Sequence, residues 1–184
     1  MELARTPSER ATLARVQAAL DRRYDLDRKS AAEPGVDDVL AEFVDRLRRA
    51  FGSLDRVSGK HILDIACGSN SSRSPETGRR TAVFEPWFCR LLLELGAEPV
   101  GVDAGDLEAE RFEHYSVDLS RVGALDFLPD ASFDGVQDSR LFGSPEFGAK
   151  MPERRDRERI KAELRRQERR LLKPSGVVIH SDNP

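Results

Sequence analysis

The sequence predicts an α/β fold: a doubly wound, mainly parallel sheet of about five strands that follows an N-terminal helical extension. Two observations lead to this prediction. Apolar residues between positions 13 and 51 recur at helical spacing, whereas short apolar runs with β-branched residues begin at His61. From His61 onward these runs alternate with helical segments or long connections, which is typical of parallel strands joined by right-handed crossovers. We therefore divide the 184 residues into an extension, 1–58, and a core domain, 59–184.

The extension contains two amphipathic helical patterns. The first runs from Leu13 to Tyr24 and the second covers residues 36–51, with Pro34 and Gly35 between them. Apolar residues of the second pattern form one stripe, so we expect this helix to pack on the core domain. Its charged residues are predicted to form the outer face: Asp37, Asp45, Arg46, Arg48 and Arg49.

Five short runs in the core domain are candidate strands. We predict them at 61–66, 99–103, 114–119, 132–138 and 176–180. Helical patterns lie between them at 85–95 and 153–172. The helix at 85–95 is expected to end at Gly96, since glycine commonly follows the last helical turn.

Composition and charge exclude several classes of function. The net charge of −3 gives no electrostatic footprint for nucleic acid over the whole chain, so we expect no nucleic-acid partner. No uncharged run reaches the length of about 18 apolar residues that a membrane span needs, and residues 1–10 lack the apolar segment of a secretory signal. Cys67 and Cys89 make neither a disulfide framework nor a zinc site. We expect a cytoplasmic protein without a membrane anchor or a bound metal.

Acidic residues lie at the ends of three consecutive candidate strands. Asp64 is in the first strand, Asp103 closes the second and Asp118 is near the end of the third. In a doubly wound sheet the ligand binds outside the carboxyl ends of the strands. A carboxylate at the tip of the second strand can accept two hydrogen bonds from a ribose diol, so the pattern predicts a cofactor that contains adenosine.

The loop after the first strand narrows the choice of cofactor. Residues 66–69 are small, so their backbone can approach a ligand closely. The loop has a single glycine and the next helix begins only at about residue 85, so the G-x-G-x-x-G pattern that holds a dinucleotide pyrophosphate is absent. A phosphate loop ending in Gly-Lys-Ser/Thr is also absent. The sequence therefore favours a cofactor without phosphates over a nicotinamide or flavin cofactor.

Five segments resemble the motifs of class I S-adenosylmethionine-dependent methyltransferases and occur in the same order along the chain. Within that class, the resemblance is to the methyltransferase types 11 and 25. The five segments are the glycine loop at 62–69, the segment that ends in a ribose-binding acid at 95–103, the adenine-binding pair at 118–119, the approach to the fourth strand at 125–138 and the turn before the fifth strand at 170–176. The resemblance spans residues 60–182 and implies a Rossmann-like sheet of order 3-2-1-4-5. It also implies S-adenosylmethionine as the cofactor and a chain truncated after the fifth strand, where the family usually continues into two more strands.

The resemblance implies a cofactor site made of backbone groups and short side chains. Asp64 would orient the glycine loop, Asp103 would bind the ribose hydroxyls and Asp118 would accept a hydrogen bond from the adenine amino group. The other implied cofactor-binding residues would line the methionine moiety, pack beside the sugar, cover the adenine ring or face the transferred methyl group: Ala66, Cys67, Gly68, Ala104, Leu119, Asp138 and Ser139.

The implied activity is methyl transfer to a small-molecule acceptor. His180 and Asp138 are the candidate catalytic residues, because His180 ends the fifth strand near the expected cofactor face and can act as a general base. The segment after the fourth strand lacks the Asn/Asp-Pro-Pro-aromatic motif of amino-directed family members, which argues against nucleic-acid bases as acceptors. The alternative is a non-catalytic, methyltransferase-like binding or regulatory protein that forms a homo- or hetero-oligomer.

Three departures from the family pattern bear on these expectations. Asn70 stands where the family usually has a last glycine. Residues 71–83 form an insertion, either a surface loop or a lid in which Arg73, Arg79 or Arg80 would pair with the methionine carboxylate. The fifth strand would also be an exposed apolar edge, which predicts a homodimer through that edge.

Overall fold

The computed structural model describes residues 6–24, 36–70, 84–138 and 141–179. Its helices are α1 (Pro7–Tyr24), α2 (Val36–Phe51), α3 (Trp87–Glu94), α4 (Pro145–Lys150) and α5 (Arg154–Leu171). Its strands are β1 (His61–Ile65), β2 (Glu98–Asp103), β3 (Glu113–Ser116), β4 (Phe133–Asp138) and β5 (Leu172–Ile179). None of the described helices is both long and apolar enough to cross a membrane.

The five strands form one sheet in the order β3-β2-β1-β4-β5, and every neighbouring pair is parallel. Leu63 lies in the middle of the sheet, between Val100 of β2 and Val136 of β4. The predicted α/β fold, with helices on both sides of a doubly wound sheet and strand order 3-2-1-4-5, is confirmed. Since all strands run the same way, their carboxyl ends share one edge of the sheet.

Two hydrophobic clusters lie on opposite faces of the sheet. Ile62 points into a cluster built from α1, α2 and α3, in which Leu20 and Leu47 are fully buried. The next residue, Leu63, points to the other face, where Leu164 of α5 packs. This alternation of side chains along β1 follows from the period of two of a strand, and both of its faces are buried, as in parallel sheets generally.

Two strand boundaries differ from the prediction by about three residues or more. β3 ends at Ser116, so Asp118 lies two residues beyond the strand. β5 begins at Leu172, directly after α5, and residues 173–176 lie inside the strand where we expected a turn. The ladder between β4 and β5 shifts its register at this place: Phe133 pairs with Leu172, but Gly135 pairs with Val177. The turn-forming residues are therefore accommodated as a bulge within the strand.

The charged face predicted for α2 is wrong in part. Asp45 and Arg49 are exposed, but Arg46 is buried and the Arg48 side chain is only 10% exposed. Arg48 is covered because Glu9 of α1 lies 3.5 Å from its Nε atom. The helix has neighbours on more than one side, and periodicity within α2 cannot show contacts made by another helix.

Candidate functional site

The loop after β1 follows the carboxyl edge of the sheet and stays attached to β2. The Cys67 amide donates to the Val102 carbonyl at 3.1 Å. Ala66 has a φ of +58° and Gly68 a φ of +93°, so both lie in the left-handed region. A Cβ at position 68 would collide with the Phe84 carbonyl oxygen, which accepts a hydrogen bond from the Ser69 amide at 3.1 Å. Glycine at 68 is therefore required by the close approach of the segment before α3.

Asp103, the last residue of β2, joins the loops that follow β1 and β2. Its Oδ2 atom accepts a hydrogen bond from the Gly68 amide at 3.0 Å, and its Oδ1 atom accepts one from the Gly105 amide at 2.9 Å. A carboxylate offers about four lone-pair directions. Asp103 therefore holds both loops and retains the capacity to accept two further hydrogen bonds.

The same two loops meet at a second place. The Asn70 amide donates to the Asp106 carbonyl at 2.9 Å. Any side chain at Gly105 would collide with the Ser69 hydroxyl. The small residues predicted to allow close approach of a ligand thus also allow the two loops to approach each other.

A buried ion network fixes the far end of the β1 loop. Arg90 of α3, 2% exposed in its side chain, donates to Glu85 at 2.7 Å, to Glu110 at 2.6 Å and to the Asn70 side-chain oxygen at 2.8 Å. Its guanidinium also lies over the Trp87 ring, 4.4 Å from the centroid. Burial alone would lower the pKa of Arg90, but hydrogen bonds and charge contacts with Glu110 and Glu85 outweigh it and raise the pKa. The guanidinium stays charged and ties the loop to α3.

This network was not predicted from the sequence. One sign of it was present: Arg90 is the single charged residue among the apolar residues 87–93 of α3. Its pairing with Glu110, 20 residues away, follows no local pattern. The network also gives Asn70 a structural role, since its side-chain oxygen accepts from Arg90 at the position where the family usually has glycine.

Asp64 lies beneath the β1 loop and is fully buried. The Cys89 thiol donates to its Oδ2 atom, with a sulfur–oxygen distance of 3.7 Å. Burial raises the pKa of Cys89 well above its usual value, and Cys67 and Asp64 raise it further. A hydrogen bond from Cys89 lowers the pKa of Cys67, but burial and the charges of Asp64 and Asp103 outweigh it, so this pKa is raised too. Both thiols stay protonated and pack against Gly101.

The residues after β3 are more exposed to solvent than the loop after β1. Asp118 is exposed, and its Oδ1 atom accepts hydrogen bonds from the Ser120 amide and hydroxyl, at 3.2 and 2.6 Å, and from Lys150 at 3.4 Å. The Ser120 hydroxyl contributes most to lowering the pKa of Asp118, so the carboxylate is ionised at neutral pH. Leu119 is buried and Ala104 is exposed.

Asp138 ends β4 and pairs in register with Ile65, the last residue of β1. Burial raises the pKa of Asp138, and the charges of Arg165, Arg46 and Lys161, together with a hydrogen bond from the Leu141 amide, only partly oppose that rise. Asp138 is thus a stronger base than an ordinary carboxylate. It lies on one side of the β1 loop, and Asp103 lies on the other.

The structure brings together part of the predicted site. Asp64, Asp103 and Asp138 lie at the carboxyl edge around the β1 loop, while Asp118 lies farther out, beyond the edge strand β3. The remaining predicted site positions, Ser139 and His180, lie outside the described residues, as do the insertion 71–83 and its arginines Arg73, Arg79 and Arg80.

The two described histidines lie away from this edge. His61 begins β1 at the opposite edge, with its Nδ1 atom 2.9 Å from the Ser132 carbonyl oxygen. His114 is within β3, with its Nδ1 atom 2.9 Å from the Phe112 carbonyl oxygen. The described residues also contain no group of three His, Cys, Asp or Glu side chains placed to hold a metal ion.

Comparison with models of known protein families gives no match, and comparison with curated proteins gives none either. The interpretation of the site therefore rests on its own geometry.

Proposed function

We propose that the protein is a class I methyltransferase that uses S-adenosylmethionine to methylate a small-molecule acceptor. The observation that carries the proposal is the position of Asp103. It ends the second strand at the carboxyl edge of a doubly wound sheet, beside a tight glycine loop, and keeps acceptor capacity for a ribose diol.

The other residues of this edge fit the parts of an adenosine cofactor that has no phosphates. Asp118 is ionised and exposed, so it can accept from an adenine amino group. Buried Leu119 provides an apolar contact next to it. In the described part of the loop after β1, residues 66–70, the amides are already engaged: the Gly68 amide is bound to Asp103 and the Asn70 amide to the Asp106 carbonyl. Such a loop suits a sulfonium cofactor better than a pyrophosphate.

In this proposal the cofactor supplies an electrophilic methyl group, and the chain supplies alignment and proton acceptance. The loops joined by Asp103 hold the donor in a fixed orientation, which reduces the entropic barrier of an in-line transfer. Asp138 lies across the β1 loop from Asp103, and its raised pKa suits it to accept a proton from the acceptor.

Calorimetric titration with S-adenosylmethionine, with its demethylated product and with NAD tests the proposal. We expect binding of the first two and none of NAD. Binding of NAD alone would instead support a nicotinamide-dependent enzyme and contradict the proposal.

A second candidate is a non-catalytic protein that retains the cofactor site. The described residues favour it in one respect: both described histidines lie away from the carboxyl edge, and the loops there are closely tied to each other. Incubation with S-adenosylmethionine and a panel of candidate acceptors separates the two. Formation of the demethylated product above the rate without protein supports the enzyme, whereas binding without any product supports the second candidate.

A further inference from the structure

Helix α5 carries a straight stripe of arginines on its outer face. Successive steps of four and three residues from Arg155 lead to Arg159, Ala162, Arg166 and Arg169. Residues at these steps lie in one line along a helix. All five are exposed, and the stripe is about 21 Å long because a helix rises about 1.5 Å per residue. The opposite face of α5 is buried against the sheet.

Most charges of the stripe have no partner of opposite sign. Arg166 forms an ion pair with Glu163, with 2.7 Å between nitrogen and oxygen. The other three arginines of the stripe form no ion pair with any of the residues that the structure describes. One acid, Glu158, is exposed on the same side of the helix. The outer face of α5 therefore keeps an excess of positive charge.

The stability of the helix does not explain this excess. α5 contains nine basic and four acidic residues, a net charge of +5. Since the whole chain carries −3, the remainder carries −8. Like charges four residues apart on a helix, such as Arg155 and Arg159, repel each other. Cations that repel one another, in a chain that is otherwise acidic, indicate a surface for an anionic partner.

The charge of the remaining chain selects the kind of anion. A nucleic acid or an anionic membrane carries negative charge well beyond the length of the stripe, and the acidic remainder of this chain would repel it. A second copy of α5 would place arginines against arginines. A short acidic segment of another protein has its charge only where it meets the stripe, so it is attracted without that repulsion.

The form of the stripe favours a helical segment. Steps of four and three are the spacing of the contact line between two packed helices, so a second helix along α5 meets every arginine. Ala162 lies at the centre of the line, and its small side chain allows the partner to come near. Val122, 57% exposed, precedes Gly123, whose amide donates to Glu163. An apolar contact therefore lies beside the stripe, which protein side chains can use and a phosphate backbone cannot.

We propose that the outer face of α5 binds an acidic helix of another protein, whose glutamate or aspartate side chains pair with the four arginines of the stripe. The guanidinium fork binds a carboxylate through two parallel hydrogen bonds, and an exposed arginine is free to adopt that geometry. This surface is the outer side of a helix that covers one face of the sheet, so the proposal does not rest on the proposed methyltransferase function.

Fluorescence anisotropy with a labelled acidic peptide tests the proposal. The peptide is a single helix with glutamates at alternating steps of three and four residues. A reference peptide has the same composition, with its glutamates spread around the helix. At an ionic strength of about 0.05 M, where exposed charges are weakly screened, we expect the first peptide to bind more tightly than the reference.

The decisive variant combines Arg155→Gln, Arg159→Gln, Arg166→Gln and Arg169→Gln. It should weaken binding of the first peptide by roughly tenfold or more, because four exposed ion pairs are lost. The matched control removes as many charges from exposed arginines outside α5, through Arg10→Gln, Arg22→Gln, Arg49→Gln and Arg56→Gln. It should bind the peptide like wild type, which separates the stripe from a general effect of net charge.

Thermal unfolding of both variants shows whether the arginines serve the fold instead. We expect the stripe variant to unfold at no lower temperature than wild type, because like charges are removed. A clearly lower midpoint would assign the stripe to stability and overturn the proposal. It would also be overturned by equal losses of binding in both variants, by equal binding of the two peptides, or by tighter binding of a single-stranded oligonucleotide of equal charge. None of these outcomes involves S-adenosylmethionine.

Discussion

Ala66 has a left-handed backbone, with φ of +58°, at the first position of the loop that forms the candidate site. A residue with a Cβ is disfavoured in this region, and such strain often persists at functional sites. We expect Ala66→Gly to raise the free energy of unfolding by about 1 kcal/mol. Urea denaturation measures the change.

Two alanine positions serve as controls for this prediction. Ala131 also has a positive φ, +48°, far along the chain from the loop, so Ala131→Gly should stabilise the protein in the same way. Ala162 is exposed in α5, and Ala162→Gly should cost about 1 kcal/mol, because glycine is unfavourable within a helix. If Ala66→Gly instead lowered the free energy of unfolding, the Ala66 backbone would not be strained.

The raised pKa of Asp138 makes stability depend on pH. Burial makes the folded chain hold this proton more tightly than the unfolded chain, whose carboxyl has a pKa of 3.8. Stability is therefore lost as pH rises from 3.8 through the higher folded pKa. Asp138→Asn stays neutral, so we expect it to be more stable than wild type at pH 7 and similar to it below pH 3.8. Denaturant titrations across this range measure the difference.

Asp134, in the same strand as Asp138, serves as the control because its pKa is shifted in the opposite direction. Burial acts to raise its pKa, but hydrogen bonds from Lys173, the His61 amide and Lys60 outweigh it and lower the pKa. Its carboxylate therefore stabilises the fold above pH 3.8, and this contribution is lost as pH falls through the lower folded pKa. Asp134→Asn should be less stable than wild type at pH 7. If Asp138→Asn behaved in the same way, the Asp138 carboxylate would be a stabilising group and our account of it would be wrong.

At the scale of elements, α3 holds the β1 loop through Arg90. Arg90→Met would remove the cation that binds the buried carboxylates of Glu85 and Glu110. We expect it to lower the free energy of unfolding by about 3–5 kcal/mol. The comparison is Arg111→Met, which removes an exposed arginine paired with Glu94 and should cost less than about 1 kcal/mol. Similar losses for both variants would refute a structural role for the network.

The elements were predictable where their apolar residues follow a simple pattern. The short apolar run with β-branched residues identified β1, because a strand covered on both faces is apolar throughout. The apolar stripes identified α1, α2 and α3, because each helix buries one continuous face. The sequence did not reveal that β5 starts at Leu172, since residues 173–176 have the composition of a turn and lie in a bulge fixed by pairing with β4. Arg90 was missed as a buried residue because its partner Glu110 is 20 residues away along the chain.

At the scale of the whole molecule, the parallel arrangement explains why acids far apart in sequence meet. Asp64 and Asp103 were predicted from their places at strand ends, and the sheet brings both beside the β1 loop. The hydrogen bonds of Asp103 to Gly68 and Gly105 were not predictable, because they depend on how two loops from different strands pack. The sequence therefore indicated the edge of the sheet that forms the site, and the structure supplied its internal connections.

The sheet ends on β3 at one side and on β5 at the other. β5 has eight residues and no neighbouring strand on one side among the described residues, where an edge strand presents backbone groups that can pair with another strand. We propose a homodimer through this edge. Light scattering coupled to size exclusion should give a mass of twice that of the 20.6 kDa chain. A monomer over the whole accessible concentration range would rule out this dimer.

Calorimetric titration of S-adenosylmethionine into wild type, Asp103→Asn and Asp134→Asn tests the central claim most directly. Asp103 ends β2 at the proposed cofactor edge, whereas Asp134 lies near the start of β4 and binds Lys60 and Lys173. We predict binding to wild type and to Asp134→Asn with similar affinity. Binding to Asp103→Asn should be weaker by roughly tenfold to a hundredfold, because hydrogen bonds to a charged group are lost. No binding to wild type, or equal binding to all three proteins, would contradict the account.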